Sequence, residues 1–245
     1  MEKKKNQNLS GEHRYLACEH RGIFALLMIN AGMMGAYTFS VRGGVFCNAQ
    51  TANFVMMSMA FGSGEIKKAV YFFIPIAAYF LGTVLSELIP LPLKKLGLFR
   101  WDTILVLIEA IALFLIGFVP MSYPHQLVQV TINFLASMQY NTFRQADGVP
   151  MATTFCTNHL RQVGVAAAKI IRKKNVPAAK SKFWIHVVMI LSFVLGAFSV
   201  SFICNVAKEK SIWIALIPLL IIFFKLAYAD LISEKDVLHY KPLGH

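Results

Sequence analysis

Long apolar stretches separated by short polar ones fill the chain between residues 22 and 231. A helix needs about 20 mostly apolar residues to cross the hydrocarbon core of a bilayer. Stretches near that length predict six membrane spans: 22–39, 66–88, 103–119, 127–143, 183–206 and 212–231. Two further segments, 48–62 and 153–171, have a helical pattern but begin with polar residues. The pattern therefore predicts an all-α, polytopic membrane protein.

The eight helical segments form two groups of four in the same order. Each group has a span, a polar-started short helix and two more spans. The predicted organisation is an N-terminal tail, two membrane repeats and a C-terminal tail, at residues 1–21, 22–119, 125–231 and 232–245. The third segment of each group carries the same dipeptide, Leu81-Gly82 and Leu195-Gly196. In the first group, Ala78, Gly82 and Ser86 form a row of small residues, which predicts a packing face for a neighbouring helix.

The polar stretches before the two short helices also repeat. Thr38-Phe39 recurs as Thr142-Phe143, and Gly44-Val45 recurs as Gly148-Val149 in the same register. With a gap of about two residues, Thr51-Ala52-Asn53 then falls on Thr157-Asn158-His159. Duplicated, glycine-interrupted polar segments in corresponding positions of two halves are typical of transporter binding sites. The alternative is two surface loops that resemble each other by chance.

Positive charges indicate how the halves cross the membrane, because Lys and Arg concentrate in cytoplasmic loops. If all eight segments cross, the basic residues of 94–100 lie outside. If the two short segments enter and leave on one side, both tails, 94–100 and the strongly basic 172–182 all lie in the cytoplasm. Three spans per half is an odd number, so the halves are then inverted repeats. The sequence favours this six-span arrangement over eight spans with parallel halves.

Composition agrees with a membrane protein. The chain is 57% hydrophobic and 15% charged, with a mean hydropathy of +0.58, whereas soluble domains are about 25% charged. The net charge of +12 concerns the membrane surface and predicts no nucleic-acid partner. The four cysteines are scattered without a Cys-x-x-Cys pair, so we expect neither a metal site nor a disulfide framework. No cofactor is expected.

The two polar stretches carry a further signature. The first half has Gly43-Gly44-Val45-Phe46 followed by Gln50-Thr51-Ala52-Asn53, and the second has the run Gly148 to Thr154 followed by Thr157. These motifs resemble those of the YoaK family, bacterial integral membrane proteins of unknown function regarded as candidate small-molecule transporters. The family has Thr-Gly-Asn where this chain has Thr51-Ala52-Asn53, and Thr-Gly where it has Thr157-Asn158. The resemblance covers nearly the whole chain and implies a multi-pass protein of the bacterial cytoplasmic membrane. The positive charges predict that both termini lie in the cytoplasm.

The glycine-rich stretches predict breaks in the helices. Non-helical backbone at membrane depth must be buried in protein or line a wet cavity, and the N-termini of the following helices would attract anions. Arg42, Arg144 and Arg161 could add to that attraction. We therefore predict a site for a small anionic or zwitterionic solute. The predicted helix-breaking residues are Gly43, Gly44, Gly148 and Pro150, and the predicted binding residues are Asn30, Asn48, Thr51, Asn53, Asn133, Thr153, Thr157 and Asn158.

In the alternative interpretation, these polar side chains only satisfy the broken backbone, with Asn or Thr capping the short helices near Asn48 and Thr153. Glu109 lies in the middle of a span, where an ionisable residue is costly and suggests a proton relay. A structural partner for an Arg or Asn is the other role open to it.

Two other functions stay open beside a transporter or channel. One is a membrane-embedded enzyme that uses Cys47, Cys156 or His159. The sequence shows no recognisable spacing of a nucleophile, a general base and a group that orients the base. The other is a non-transporting partner subunit. The sequence favours transport without enzymatic activity and leaves a homo-oligomer open. The expected partners are a small solute and the lipid bilayer.

Overall fold

The structure is a computed structural model that describes residues 15–89, 99–174, 176–238 and 242. It is helical almost throughout. The α-helices are α1 (Arg21–Val41), α2 (Gln50–Gly62), α3 (Ile66–Leu88), α4 (Trp101–Ile116), α5 (His125–Thr142), α6 (Thr157–Ile171), α7 (Val176–Ala207) and α8 (Leu216–Tyr228). Strands β1 (Gln145–Ala146) and β2 (Val149–Pro150) form a hairpin between α5 and α6. Shorter helical turns are Ala17–Glu19, Lys208–Ala215, Ala229–Ser233 and Lys235–Val237.

The described helical runs that are long and apolar enough to cross a membrane number three: Arg21–Val41, Ile66–Leu88 and Val176–Ser233. The last run contains two of the predicted spans, 183–206 and 212–231. The other two predicted spans correspond to α4, with 16 residues, and α5, with 18. Large apolar side chains on α3 and α7 point away from the protein: Phe80 is 66% exposed and Phe198 is 71% exposed. Such surfaces suit contact with lipid.

The two short helices begin later than the sequence suggested. Helix α2 begins at Gln50 rather than Asn48, and α6 begins at Thr157 rather than Thr153. Their N-cap residues, Ala49 and Cys156, make no side-chain capping hydrogen bond. The prediction that an Asn or Thr side chain caps these helices is therefore wrong.

The helices pack in specific pairs. Helix α1 lies against α7, α3 against α5, α2 against α3, α6 against α7, and α4 against α8. Gly196 of α7 lies so close to α1 that a Cβ there would overlap the backbone of Ile29. Gly82 of α3 lies equally close to the backbone of Phe134 in α5. Because a side chain is absent at these glycines, the paired helices approach closely.

Side-chain contacts give the relative direction of helices α1 and α5. Phe24, near the start of α1, packs edge to face on Phe143, just after α5, with ring centroids 6.2 Å apart. At the other end, the Gln129 side chain in the second turn of α5 donates to the carbonyl of Arg42, just after α1. Helices α1 and α5 therefore run antiparallel.

Contacts at both ends of helices α4 and α8 give their relative direction in the same way. The backbone N–H of Arg100, before α4, donates to Asp230, after α8, at 2.9 Å. The indole N–H of Trp213, before α8, donates to the carbonyl of Phe114 near the end of α4 at 3.0 Å. Helices α4 and α8 are thus also antiparallel. We call the end of the bundle with residues 15–21, 99–103, 142–148 and 229–238 the terminal end, and the other the loop end.

Candidate functional site

The first break, residues 42–49, turns back towards the middle of the bundle. Gly43 and Gly44 have φ of +83° and +73°, a left-handed region that glycine enters without a steric penalty. After this turn, the chain runs beside α1, and the Asn48 amide donates to the carbonyl of Ala31 at 3.0 Å. Ala31 lies at the midpoint of α1. Helix α2 therefore starts halfway down the neighbouring helix.

Asn53, in the first turn of α2, holds the first break together. Its amide donates to the carbonyl of Phe46 at 2.7 Å, and its side-chain oxygen accepts from the N–H of Phe46 at 3.3 Å. Asn53 is fully buried. Asn48 and Asn53 therefore satisfy the broken backbone, as the alternative interpretation of the motif proposed.

The second break, residues 143–156, makes its turn at the aligned position. Asp147 and Gly148 have φ of +46° and +73°, and they match Gly43 and Gly44 in the repeat register. Here the turn connects β1 and β2, with Ala146 opposite Val149. Asp-Gly is a favoured sequence for such a two-residue hairpin turn. Pro150, a predicted helix-breaking residue, lies in β2.

His159 holds the second break in the way that Asn53 holds the first. Its Nε2 lies 2.8 Å from the carbonyl oxygen of Ala152, seven residues earlier, just as the Asn53 amide bonds a carbonyl seven residues earlier. The other ring nitrogen, Nδ1, lies 2.9 Å from Nδ1 of His186 on α7. Both imidazoles are buried. The sequence register had aligned Asn53 with His159 but had not linked His159 with His186.

Two sets of hydrogen-bonded amides meet on α5, one from the first break and one from α1. Gln50 donates to Asn133 of α5 at 2.8 Å and accepts from Asn53 at 3.1 Å. Asn30 of α1 donates to Gln139 of α5 at 3.5 Å. We call these residues the amide cluster: Asn30, Gln50, Asn53, Asn133 and Gln139. Sequence analysis missed Gln50 and Gln139 as site residues, although both are amides inside or beside an apolar segment.

Two amides of the cluster have unused polar atoms. Asn30 and Gln139 are fully buried. The side-chain oxygen of Asn30 and the side-chain nitrogen of Gln139 have no hydrogen-bond partner among the described residues. The same holds for the buried hydroxyl of Thr153 in the second break. Such orphaned groups are rare because burial without a partner costs free energy.

The remaining predicted binding residues lie elsewhere. Thr51 and Thr157, at the starts of the two short helices, are exposed. Asn158 is half-buried and accepts a hydrogen bond from Arg161 at 3.1 Å. The structure therefore joins Asn53 and Asn133 through Gln50 and joins Asn30 to the same helix through Gln139, but leaves Thr51, Thr157 and Asn158 outside the amide cluster.

The three arginines proposed to attract an anion have other partners. Arg42 is fully buried and donates to the carbonyls of Val119 at 2.6 Å and Pro120 at 3.4 Å. Arg144 pairs with Glu87 near the protein surface, and Arg161 bonds Asn158. Of the described arginines, none donates to the amide cluster.

Glu109 lies on α4 and is fully buried. Neither of its carboxyl oxygens has a hydrogen-bond partner among the described residues. The structure thus gives no support, in the part it describes, to the alternative in which Glu109 is the partner of an Arg or Asn.

A buried charge network at the terminal end was not foreseen from the sequence. Arg100 pairs with Glu234 and lies 3.5 Å from Asp230. Thr103 donates to Asp230 at 2.6 Å, and the backbone N–H of Ala17 donates to Glu234 at 2.7 Å. The network ties the segment before α1 to the start of α4 and to the turn after α8.

The segment before α1 and the first residue of α1 also bind the second break. Gln145 donates to the Glu19 carboxylate at 3.0 Å, and the N–H of Asp147 donates to the Glu19 carbonyl at 2.8 Å. Arg21 forms an ion pair with Asp147 at 2.6 Å. Burial, and then the nearby Asp102 carboxylate, raise the pKa of the Cys18 thiol well above its ordinary value, which favours the protonated thiol.

Long apolar helices that enclose polar, broken backbone are those of an all-α membrane protein. The chain belongs to the DUF1275 family, described as proteins of unknown function, whose sequence model matches residues 23–224. The match runs from α1 into α8, and the resemblance to YoaK proteins, which belong to this family, is confirmed at that level. No curated protein matches the chain. No solved structure matches it either.

Proposed function

We propose that this protein is a transporter or channel of the bacterial cytoplasmic membrane and that a small polar solute passes between its two helix breaks. The observation that carries the proposal is the matched construction of the breaks. Each turns through two consecutive left-handed residues. Each is then held by a side chain that bonds a carbonyl seven residues earlier. Paired breaks of this kind form solute sites in transporters built from repeats.

We propose further that the halves are inverted repeats. Exchanging the halves turns the α1–α7 contact into α5–α3, and the α2–α3 contact into α6–α7. The same exchange turns the antiparallel pair α1–α5 into α5–α1 and the pair α4–α8 into α8–α4, so both pairs are unchanged. The close glycine contacts also correspond, because Gly196 and Gly82 share the Leu-Gly motif. These relations support a two-fold axis in the membrane plane.

The first break supports a re-entrant segment. The chain descends to the level of Ala31, and the 13 residues of α2 then span about 20 Å. The Tyr71 hydroxyl, in the second turn of α3, donates to the carbonyl of Gly43 at 3.3 Å. Helix α3 therefore begins at the loop end, where α1 finishes. This geometry favours six spans, with the positive-inside rule placing the terminal end in the cytoplasm.

The amide cluster suggests the class of solute. Its unused atoms are one acceptor, on Asn30, and one donor, on Gln139. A solute with its own donor and acceptor would satisfy both and remove the cost of leaving them unpaired. Because the arginines are engaged elsewhere, the cluster favours a zwitterionic or uncharged solute over an anion.

Osmotic light scattering of proteoliposomes tests this function. The probes are urea, glycerol, glycine betaine and, for an anion, potassium formate with valinomycin to balance charge. We expect faster entry of at least one neutral or zwitterionic probe than in protein-free liposomes. Asn30→Leu or Gln139→Leu should reduce that entry about tenfold, because each removes a buried hydrogen-bonding group from the path.

The matched control is Thr131→Val on the same helix as Gln139. The Thr131 hydroxyl bonds the carbonyl of Leu127 within its own helix, so its loss should leave entry unchanged. Rates equal to those of protein-free liposomes for all probes would contradict the transport function. Wild-type rates in the Asn30 and Gln139 variants would instead exclude the amide cluster as the path.

We propose that Glu109 couples transport to a proton. A buried carboxyl without partners is costly to ionise, so it takes up and releases protons only when its surroundings change. In the same assay, repeated between pH 5 and pH 8, Glu109→Gln should remove the part of the pH dependence that Glu109 contributes and so change the pH profile of the wild-type rate. A variant with an unaltered pH profile would show that Glu109 is not the coupling acid.

A further inference from the structure

The two breaks differ in one chemical respect. Asn53 holds the first break with an amide, which does not titrate, whereas His159 holds the second with an imidazole, which can bind a second proton. The helices that carry the breaks differ in the same way. Ten residues before Gly196, α7 has His186, and ten residues before Gly82, α3 has the buried Phe72. The second half therefore has a titratable pair where the first half has Asn53 and Phe72.

The contacts of His159 fix where its protons lie. A carbonyl oxygen only accepts, so the Nε2 that faces Ala152 must carry the proton. Nδ1 of neutral His159 is then an acceptor, and Nδ1 of His186 must be the donor across the 2.9 Å contact. A first proton can bind at Nε2 of His186 with this bond intact. A second proton would lie on Nδ1 of His159 and place two N–H groups against each other, which breaks the bond.

The charged groups around the pair oppose that second proton. Lys182 lies one helical turn before His186 on α7. Gly196 lies against Ile29, and the Tyr37 hydroxyl, near the end of α1, donates to the carbonyl of Glu209, just after α7, at 3.2 Å. Helices α1 and α7 therefore run parallel, and the segment before α1 lies at the end of α7 that carries His186. The titratable or charged groups of the described residues at this end include Tyr15, Cys18, Glu19 and His20 before α1, Arg21 at its start, Asp147 and Cys156 in the second break, and Arg161 on α6. The carboxylates among them are already engaged, Asp147 by His20 and Arg21 and Glu19 by Gln145.

We propose that the His159–His186 pair is a proton-binding site that controls the second break. The pair docks the break on α7 while it holds at most one proton, and binding of a second proton releases it. Acidification therefore loosens the second break and leaves the first unchanged. The inference concerns the proton alone and does not depend on whether a solute is transported.

Hydrogen exchange followed by mass spectrometry on the full chain in lipid nanodiscs tests the proposal. Peptides that cover residues 150–162 report the second break, and those that cover 44–56 are the internal control. Between pH 7.5 and pH 4, after correction for intrinsic exchange, exchange in 150–162 should rise about tenfold, the factor given by loss of one ordinary hydrogen bond. Exchange in 44–56 should not change.

The first half supplies both matched variants. His159→Asn keeps an amide donor for the Ala152 carbonyl, as Asn53 does for Phe46, and His186→Phe copies Phe72. Each should remove the response to acid while the corrected exchange of 44–56 stays at its wild-type value. A wild-type response that is equal in both breaks, or absent, would overturn the proposal. A full response to acid in either variant would also overturn the proposal. Two variants are used so that the test still stands if one of them fails to fold.

Discussion

Replacement of Gly196 by leucine is expected to prevent assembly of a stable bundle. A Cβ at this position would overlap the backbone of Ile29, and neither backbone can yield without separating α7 from α1. Overpacking costs about 1–3 kcal/mol even where side chains can move, and here no flexible side chain stands between the helices. The yield of monodisperse protein in mild detergent and its thermal unfolding measure the effect.

Gly164→Leu on α6 is the matched control, since a Cβ there meets no atom within 4 Å. It should behave as wild type. Gly82→Leu should reproduce the defect of Gly196→Leu, because Gly82 meets the backbone of Phe134 in the corresponding contact of the other half. Wild-type stability of Gly196→Leu would show that α1 and α7 do not pack as described.

Replacement of Arg100 by methionine is expected to lower the free energy of unfolding by about 3–5 kcal/mol, the range for removing one partner of a buried ion pair. The Arg100 side chain is 6% exposed and pairs with Glu234 and Asp230. Its removal would leave two buried carboxylates without their cation. Thermal and denaturant unfolding in detergent at neutral pH and fixed ionic strength measure the loss.

Arg144→Met provides the comparison. Arg144 pairs with Glu87, but these side chains are 40% and 59% exposed, and exposed ion pairs contribute about 0–1 kcal/mol. The loss of unfolding free energy in Arg100→Met should therefore be several times that in Arg144→Met. Equal losses of stability would contradict the buried network at the terminal end.

Local sequence patterns predicted the helices well, because helix formation depends on residues close together in the chain. The apolar stretches located the helices, and the row of Ala78, Gly82 and Ser86 correctly predicted a packing face on α3. The repeated Gly-Val motif identified both left-handed turns. The predicted starts of α2 and α6 were too early. At α2, the Asn48 side chain donates to the carbonyl of Ala31 instead of capping the helix.

The contacts that define the site could not be predicted in the same way. Asn30 and Gln139 are 109 positions apart, and no periodic pattern links an amide on one helix to an amide on another. Arg100 entered the sequence argument only as a loop charge, yet it is buried against a residue 134 positions later. Pairings at such separations depend on the packing of the halves.

Cysteine accessibility from outside the cell tests the inverted, six-span arrangement most directly. On a background without Cys18, Cys47, Cys156 and Cys204, single cysteines replace Lys67, Lys95, Tyr123, Lys174 and Lys208 in turn. We expect an impermeant thiol reagent to label positions 67, 123 and 208 and to leave 95 and 174 protected. Labelling at 95, with 67 and 123 protected, would mean eight spans and parallel halves, and would contradict the account.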